Sequence, residues 1–304
     1  DVYKRQPRED VMSEEEAIAE GFTVEQNFDY EPYEFVMRDR TVLQGARYLS
    51  PSPHSLLFLH GASGFSSQLN KSIGMIREAT GCEIFTYDHR GHGNSPGKRG
   101  DIEQIDQYVD DSSDVLQAIR QLKPNGSIIL AGHSMGGGII QRFAMSEELN
   151  SADAYLLFAP VIGNGAPGAT TPRHVKPHIP RIIGTLMLNA LGIELFTHMP
   201  VINLGFPEFD KQINQYTFTA ALSMRPDDYQ GGISALRKPS LVVLGSNDAP
   251  SGVPAEQVAA AFKSHSDAEV FMVPDEGHHV QNHPDAIAEA VAFIERIVEE
   301  HEKE

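Results

Sequence analysis

A serine lies at the centre of the run Gly132-His133-Ser134-Met135-Gly136. The run follows the apolar stretch SIILAG and precedes the helical stretch IIQRFAM, so Ser134 is predicted to lie on a tight turn between a strand and a helix. Such a turn exposes the hydroxyl and demands small residues two positions to either side, where this chain has glycine. A serine presented in this way is typical of a nucleophile in acyl transfer.

A serine hydroxyl needs a base that removes its proton and a carboxylate that orients the base. Asp248 follows the apolar run SLVVLG, and His278 follows the run AEVFMV. Both are therefore expected at the carboxyl ends of strands, on the same edge of a sheet as Ser134. We predict a catalytic triad of Ser134, Asp248 and His278.

Each partner of the serine has a rival nearby in the sequence. Asp275 and Glu276 precede His278 but follow the last strand, where we expect them to face solvent. His279 is adjacent to His278 and would serve as base only if the loop had another register. Together with His283 these histidines could suggest a metal site, but no carboxylate or cysteine accompanies them at ligand spacing. No metal is predicted.

The anionic oxygen that forms in acyl transfer needs two N–H donors. One predicted donor is the backbone N–H of Met135, at the positive start of the helix. The loop His60-Gly61-Ala62-Ser63-Gly64 follows the apolar run SLLFLH and contains enough glycine to turn toward the serine. The backbone N–H of Ala62 is the predicted second donor, and a plain glycine turn is the alternative.

Short apolar runs bounded by turn residues predict strands buried on both faces. They are SLLFLH (55–60), CEIFTY (82–87), SIILAG (127–132), AYLLFA (154–159), SLVVLG (240–245) and AEVFMV (268–273). Apolar residues at helical spacing lie between most of them, as from Ile105 to Leu122. The alternation predicts an α/β fold with a mainly parallel central sheet flanked by helices. A hairpin turned at Asp39-Arg40 and a closing helix from Pro284 complete the predicted core.

The segment 160–238 interrupts this rhythm and is rich in Gly, Pro, His, Met and Phe. We predict an inserted helical cap there, an α/β core over 31–159 and 239–304, and a partly disordered N-terminal extension over 1–30. The apolar residues of the cap either line a substrate site or only pack on the sheet. The substrate-binding candidates are Met187, Leu191, Leu195 and Phe196.

The formal net charge of −18 disfavours binding to nucleic acid or to anionic membranes, because both need basic patches. A membrane-spanning helix would need roughly 18 uninterrupted apolar residues, and no such stretch exists. The opening residues also lack the apolar core of a secretory signal, so a cytoplasmic location is predicted. The lone cysteine, Cys82, is predicted to be a buried structural thiol. The oligomeric state is left open.

Three segments carry a resemblance to a known family: YDHRGHGNSPGKRG (87–100) followed by QYVDD, GHSMGG, and HGASG. The chain resembles the α/β-hydrolases from about Phe35 to Val298, and most of all their monoacylglycerol lipase and lysophospholipase branch. The resemblance implies hydrolysis of single-chain lipid esters without a cofactor. It implies the catalytic and oxyanion roles predicted above, and structural roles for Asp88, Arg90 and His92.

The predicted function is cleavage of a small-molecule carboxylic ester, with a medium- or long-chain lipid ester as the expected substrate. One alternative is an amidase or aminopeptidase of the same fold, in which acidic cap residues would bind the substrate's amino terminus. Those residues would be Glu194, Glu208 and Asp210. The other alternative is a ligand receptor that keeps the scaffold without turnover, because fold alone does not decide function.

Overall fold

The computed structural model describes residues 28–146, 151–172, 175–205, 211–249 and 252–303. The strands within these ranges are β1 Glu31–Val36, β2 Val42–Tyr48, β3 Ser55–Leu59, β4 Glu83–Tyr87, β5 Ile128–His133, β6 Ala154–Phe158, β7 Val175–Pro177, β8 Pro200–Leu204, β9 Gln215–Thr217, β10 Ser240–Gly245 and β11 Glu269–Val273. The α-helices are α1 Asn70–Thr80, α2 Gln107–Leu122, α3 Met135–Ala144, α4 Ile179–Ala190, α5 Phe218–Ser223, α6 Tyr229–Ser234, α7 Ala255–His265 and α8 Pro284–His301. Residues 1–27, most of the predicted N-terminal extension, lie outside the described ranges.

The central sheet of the described residues has the strand order β1-β2-β4-β3-β5-β6-β10-β11. All neighbours from β4 to β11 pair in parallel, whereas β1 and β2 are antiparallel to each other and β2 is antiparallel to β4. The residues of β3, β4, β5, β6 and β10 are buried throughout, as their continuous apolar runs require of strands covered on both faces. The predicted fold class is confirmed.

The hairpin of β1 and β2 and the closing helix α8 form where the sequence predicts them. Arg40 has a φ of 68° in the turn between β1 and β2, and the N–H of Met37 donates to the carbonyl of Thr41 at 2.8 Å. The first strand begins at Glu31, earlier than its apolar pattern indicates, and its exposed first residues pair with β2 from Arg47 onward. The closing helix begins at Pro284 as predicted.

The described residues between β6 and β10 are only partly helical. Strands β7, β8 and β9 form a small antiparallel sheet beside α4 and α5. The helical prediction was incomplete here, because strands of three to five residues are too short for a detectable alternation of apolar and polar positions. We call residues 160–238 the insert.

Candidate active site

Ser134 occupies the junction between β5 and α3, with a φ of 53° and a ψ of −111°. A non-glycine residue in this conformation is strained and needs surroundings that hold it. Its N–H donates to the carbonyl of Phe158 at 2.9 Å. A Cβ atom at Gly132 would lie 2.5 Å from the carbonyl carbon of Gly136, and a Cβ at Gly136 would lie 2.5 Å from the oxygen of Leu59. The two glycines of the motif are therefore sterically required.

The side chains of Ser134, His278 and Asp248 form one hydrogen-bonded chain. His278 Nε2 lies 2.9 Å from Ser134 Oγ, and His278 Nδ1 lies 2.9 Å from Asp248 Oδ2. Because a carboxylate only accepts, Nδ1 carries the proton and Nε2 accepts the serine hydroxyl. Asp248 and Ser134 are buried, while the ring of His278 is part-exposed. This is the arrangement of nucleophile, base and orienting acid that acyl transfer uses.

The rival residues occupy other positions. Asp275 is exposed, and its backbone N–H donates to Ser246 Oγ at 2.8 Å. Glu276 Oε1 lies 3.8 Å from His283 Nε2. His279 Nδ1 is 3.3 Å from the Gln281 amide nitrogen. Burial and the neighbouring His278 lower the pKa of His279 to about 3, so its imidazole stays neutral.

His133 supports the loop that carries His278, a role the sequence reading missed. Its Nε2 donates to the backbone carbonyl of His278 at 2.9 Å, and its ring packs beside the rings of His278 and His279. Burial, followed by the charges of these two histidines, lowers the pKa of His133 well below its ordinary value. The only sequence signal for this contact was the position of His133 inside the serine motif.

The loop predicted to bind the oxyanion packs directly against the nucleophile. A Cβ atom at Gly61 would lie 3.2 Å from Ser134 Cβ, so glycine allows the close approach. His60 Nδ1 donates to the carbonyl of Gly61 at 2.8 Å and thereby fixes the peptide that carries the Ala62 N–H. The N–H of Met135 is the first of α3, and the first N–H groups of a helix have no acceptor within it. Gly61, directly before Ala62, thus lies against Ser134, and Met135 directly follows Ser134.

The segment with Asp88, Arg90 and His92 is a folded loop held by its own polar side chains. Asp88 accepts bonds from the N–H groups of Ser66 and Asn94, each at 2.7 Å. The guanidinium of Arg90 pairs with the carboxylate of buried Asp111 at 2.7 Å. Burial raises the pKa of Asp111 to about 6, although Arg90 acts in the opposite direction. His92 contacts the insert, as described below.

The four predicted substrate-binding residues lie on α4 and the turn after it, with their side chains in solvent. Met187 is 66% exposed, Leu191 75%, Leu195 83% and Phe196 42%. Side chains packed on the sheet would be buried, so the packing alternative is wrong for these residues. Glu194 is exposed as well, and the other acidic candidates, Glu208 and Asp210, lie outside the described residues.

The remaining predictions concern the cysteine, metal binding and membrane-spanning helices. Cys82 is buried, and burial raises the pKa of its thiol. Across the described ranges, His, Cys, Asp and Glu side chains form no group of three that could hold a metal ion. None of the helices in the described part of the chain is long and apolar enough to cross a membrane.

A family model described as serine aminopeptidase S33 matches residues 51–285. The chain belongs to this family. The matched span includes Ser134, Asp248 and His278, together with the loop that contains Ala62. Membership in the S33 family makes the chain a hydrolase, and the α/β-hydrolase fold expected from the sequence resemblance is confirmed.

The chain also resembles curated relatives in sequence and a solved structure in fold. The chain is 24% identical over 249 residues to a monoglyceride lipase homolog of monkeypox virus, covering 79% of this chain and 87% of the viral protein. It is 26% identical over 226 residues to a monoacylglycerol lipase of Mycolicibacterium smegmatis, covering 68% of this chain and 75% of that protein. A thermostable carboxyl esterase from Bacillus coagulans shares the fold with a TM-score of 0.67 at 17% identity, covering 90% of this chain and all of the esterase.

Proposed function

We propose that the chain is a serine hydrolase that cleaves carboxylic esters of medium- or long-chain lipids through an acyl-enzyme on Ser134. The observation that carries the proposal is the pair of 2.9 Å contacts that link Ser134 Oγ, His278 and Asp248. The strained turn at Ser134 supports it, because such strain is characteristic of functional sites.

In the first step Ser134 Oγ attacks the ester carbonyl carbon while its proton passes to His278 Nε2. The negative charge moves to the carbonyl oxygen, where the N–H groups of Ala62 and Met135 stabilise it. Asp248 stabilises the imidazolium through Nδ1–H. The tetrahedral intermediate then expels the alcohol, which leaves with the proton of Nε2, and the acyl group stays on Ser134.

In the second step His278 Nε2 takes a proton from water as the water oxygen attacks the acyl-enzyme. The same two N–H groups stabilise the second oxyanion. Collapse of the intermediate releases the carboxylic acid, and His278 returns its proton to Ser134 Oγ. The cycle needs no group beyond these side chains and N–H donors, so no cofactor is part of the proposal.

The lipid character of the substrate is supported by two observations. Of the two relatives described above, one is named a monoglyceride lipase homolog and the other a monoacylglycerol lipase, and the alignments cover most of their lengths. The insert also exposes large apolar side chains, which would bind an acyl chain at a gain of about 0.8 kcal/mol for each buried CH₂ group. We therefore propose that residues 160–238 form a cap whose residues Met187, Leu191, Leu195 and Phe196 contact the acyl chain. Monoacylglycerols and lysophospholipids both fit this proposal.

The decisive experiment compares the wild type with Ser134→Ala on a matched panel of substrates. The panel contains p-nitrophenyl acetate, butyrate and octanoate, a monoacylglycerol, and an aminoacyl anilide. We expect the wild type to prefer octanoate and monoacylglycerol, and Ser134→Ala to lose turnover by a factor of about 10⁶ while keeping its fold by circular dichroism.

The other outcomes select the alternatives. Turnover of the anilide alone would show that the chain is an aminopeptidase and not a lipid esterase, in keeping with the name of its family. No turnover of any panel member, with tight retention of a lipid, would favour a receptor. A Ser134→Ala variant with near wild-type activity would exclude Ser134 as the nucleophile.

A further inference from the structure

The insert and the oxyanion loop, residues 60–64, are joined by buried hydrogen bonds. The N–H of Ser63 donates to Tyr216 Oη of β9 at 2.6 Å. Ser63 Oγ donates to the carbonyl of Ile213, and the N–H of Ile213 donates to the carbonyl of Ser63 at 3.3 Å. Ser63, Ile213 and Tyr216 are all buried. The residue directly after Ala62 is thus attached to the insert through its N–H, its carbonyl and its hydroxyl.

The direction of each bond at Tyr216 follows from chemistry. His92 Nδ1 lies 3.0 Å from the carbonyl of Arg90, which only accepts, so Nδ1 carries the proton. Burial lowers the pKa of His92 well below its ordinary value, which leaves Nε2 as an unprotonated acceptor. The hydroxyl of Tyr216, 2.9 Å from Nε2, donates to it and accepts from the N–H of Ser63. Both bonds require a hydroxyl at this point.

The backbone of Ser63 needs this support. Its φ of 66° lies in the left-handed region, which costs a non-glycine residue about 1 kcal/mol or more unless its surroundings hold it. On the other side of Ala62, His60 holds the carbonyl of Gly61 at 2.8 Å. The peptide that presents the Ala62 N–H is therefore held on both sides. His60 of the core holds it through the carbonyl of Gly61, and Tyr216 of the insert holds it through the N–H of Ser63.

Strand β9 is itself seated firmly on the core. The N–H of Thr217 donates to the carbonyl of Gly100 at 3.0 Å, and Thr217 Oγ1 donates to Asp101 Oδ1 at 2.6 Å. A Cβ atom at Gly100 would overlap the carbonyl oxygen of Gln215, so the two backbones are in direct contact. Tyr216 lies between Gln215 and Thr217 in β9, so the contacts of these two residues with the core also fix the position of Tyr216.

We propose that Tyr216 is a positioning residue that holds the oxyanion loop in its working geometry through Ser63, so that ester hydrolysis depends on the seating of β9. The inference rests on the proposed function, because the loop matters to catalysis only if Ala62 stabilises an oxyanion. Tyr216 acts through Ser63 and Ala62 and does not itself touch the substrate.

The test is Tyr216→Phe, which removes one hydroxyl and keeps the ring. We expect kcat for p-nitrophenyl butyrate to fall roughly 10- to 100-fold, less than the loss of a whole oxyanion donor, with KM changed by no more than about twofold. A phenylboronic acid provides a second readout. Ser134 Oγ adds to the trigonal boron and forms a B–O bond, while the serine O–H bond breaks and its proton passes to His278 Nε2. The product is a tetrahedral adduct that resembles the intermediate of acyl transfer. Its Ki should rise by the same factor as kcat falls.

Tyr229→Phe is the matched control, because Tyr229 lies in the insert and its hydroxyl contacts Gln230 rather than the loop. It should leave kcat and the boronate Ki unchanged. A folded Tyr216→Phe variant with kcat within about twofold of wild type would overturn the proposal. So would a loss of kcat with an unchanged boronate Ki, because the hydroxyl would then act elsewhere.

Ser63→Ala decides the question if Tyr216→Phe does not fold. It deletes the bond to Ile213 from the loop side, and we expect a loss of kcat of about 3- to 10-fold with the same rise in boronate Ki. Wild-type values would overturn the proposal. An inactive wild type, or an active Ser134→Ala variant, would instead refute the proposed function, so the two failures are distinguishable.

Discussion

At the scale of the residue, Asp248 fixes which nitrogen of His278 carries the proton. Asp248→Asn offers an amide in place of a carboxylate, and its NH₂ group can favour the wrong tautomer. We expect kcat for an ester substrate to fall by a factor of about 10⁴, with KM little changed. Asp275→Asn is the matched control, since Asp275 has a φ of 59° that asparagine tolerates and lies on the surface. If Asp275→Asn has the larger effect, Asp248 is not the orienting acid.

The sequence was informative about individual residues where a local signal exists. Ser134 stands in a five-residue motif, and Asp248 and His278 each follow a recognisable strand. The contacts from His133 to His278 and from Ser63 to Tyr216 join residues 145 and 153 positions apart. No pattern along the chain encodes such pairs, because they arise only when the insert and the loops pack on the finished sheet.

At the scale of the element, two glycines in helices have opposite predicted effects. Gly136 lies in α3, where a Cβ would press on the backbone of Leu59. Gly184 lies in α4, and a Cβ there would meet nothing within 4 Å. We expect Gly136→Ala to destabilise the fold by about 1–3 kcal/mol and Gly184→Ala to stabilise it by about 0.5–1 kcal/mol. Urea denaturation measures both, and equal shifts would contradict the steric argument.

The exposed apolar residues of α4 and of the turn after it predict a dependence on acyl chain length. Met187→Gln and Leu191→Gln should lower kcat/KM for an octanoate ester by about 3- to 10-fold each and leave an acetate ester unchanged, because only the long chain reaches these residues. Met145→Gln is the matched control, since Met145 is an exposed methionine at the far end of α3 from Ser134. Equal losses on both esters would show that the side chains serve the fold instead.

The elements themselves were predictable to different degrees. The strands of the core carry continuous apolar runs bounded by turns, and each predicted run coincides with an observed strand of the sheet to within one residue at either end. Strands β7, β8 and β9 have no such runs and owe their existence to pairing with one another and to contacts with the core. Their absence from the prediction explains why the role of Tyr216 was not foreseen.

At the scale of the whole molecule, buried histidines make stability depend on pH. Burial lowers the pKa values of His60, His89, His92, His133 and His279. The unfolded chain therefore binds more protons than the folded chain below pH 6.5, and stability is lost as the pH falls through this window. Asp111, whose pKa is raised to about 6, has the opposite effect on stability. Its contribution to the stability of the fold is lost as the pH rises from about 4 to 6. The effect of this single carboxylate on the free energy of unfolding is smaller than the summed effect of the five histidines, so the fold is expected to lose stability in acid.

His89 allows the origin of this acid sensitivity to be tested. Its ring is buried among the rings of His60, His92 and Tyr108, and within the described residues neither ring nitrogen has a hydrogen-bond partner. His89→Phe keeps an aromatic ring in the same space and removes one titrating group. Because one histidine contributes up to about 1.4 kcal/mol between pH 7.5 and 5.5, the fall in unfolding free energy over that range should shrink by about this amount. Urea denaturation at the two pH values measures the difference, and an unchanged fall would mean that other groups cause the acid sensitivity.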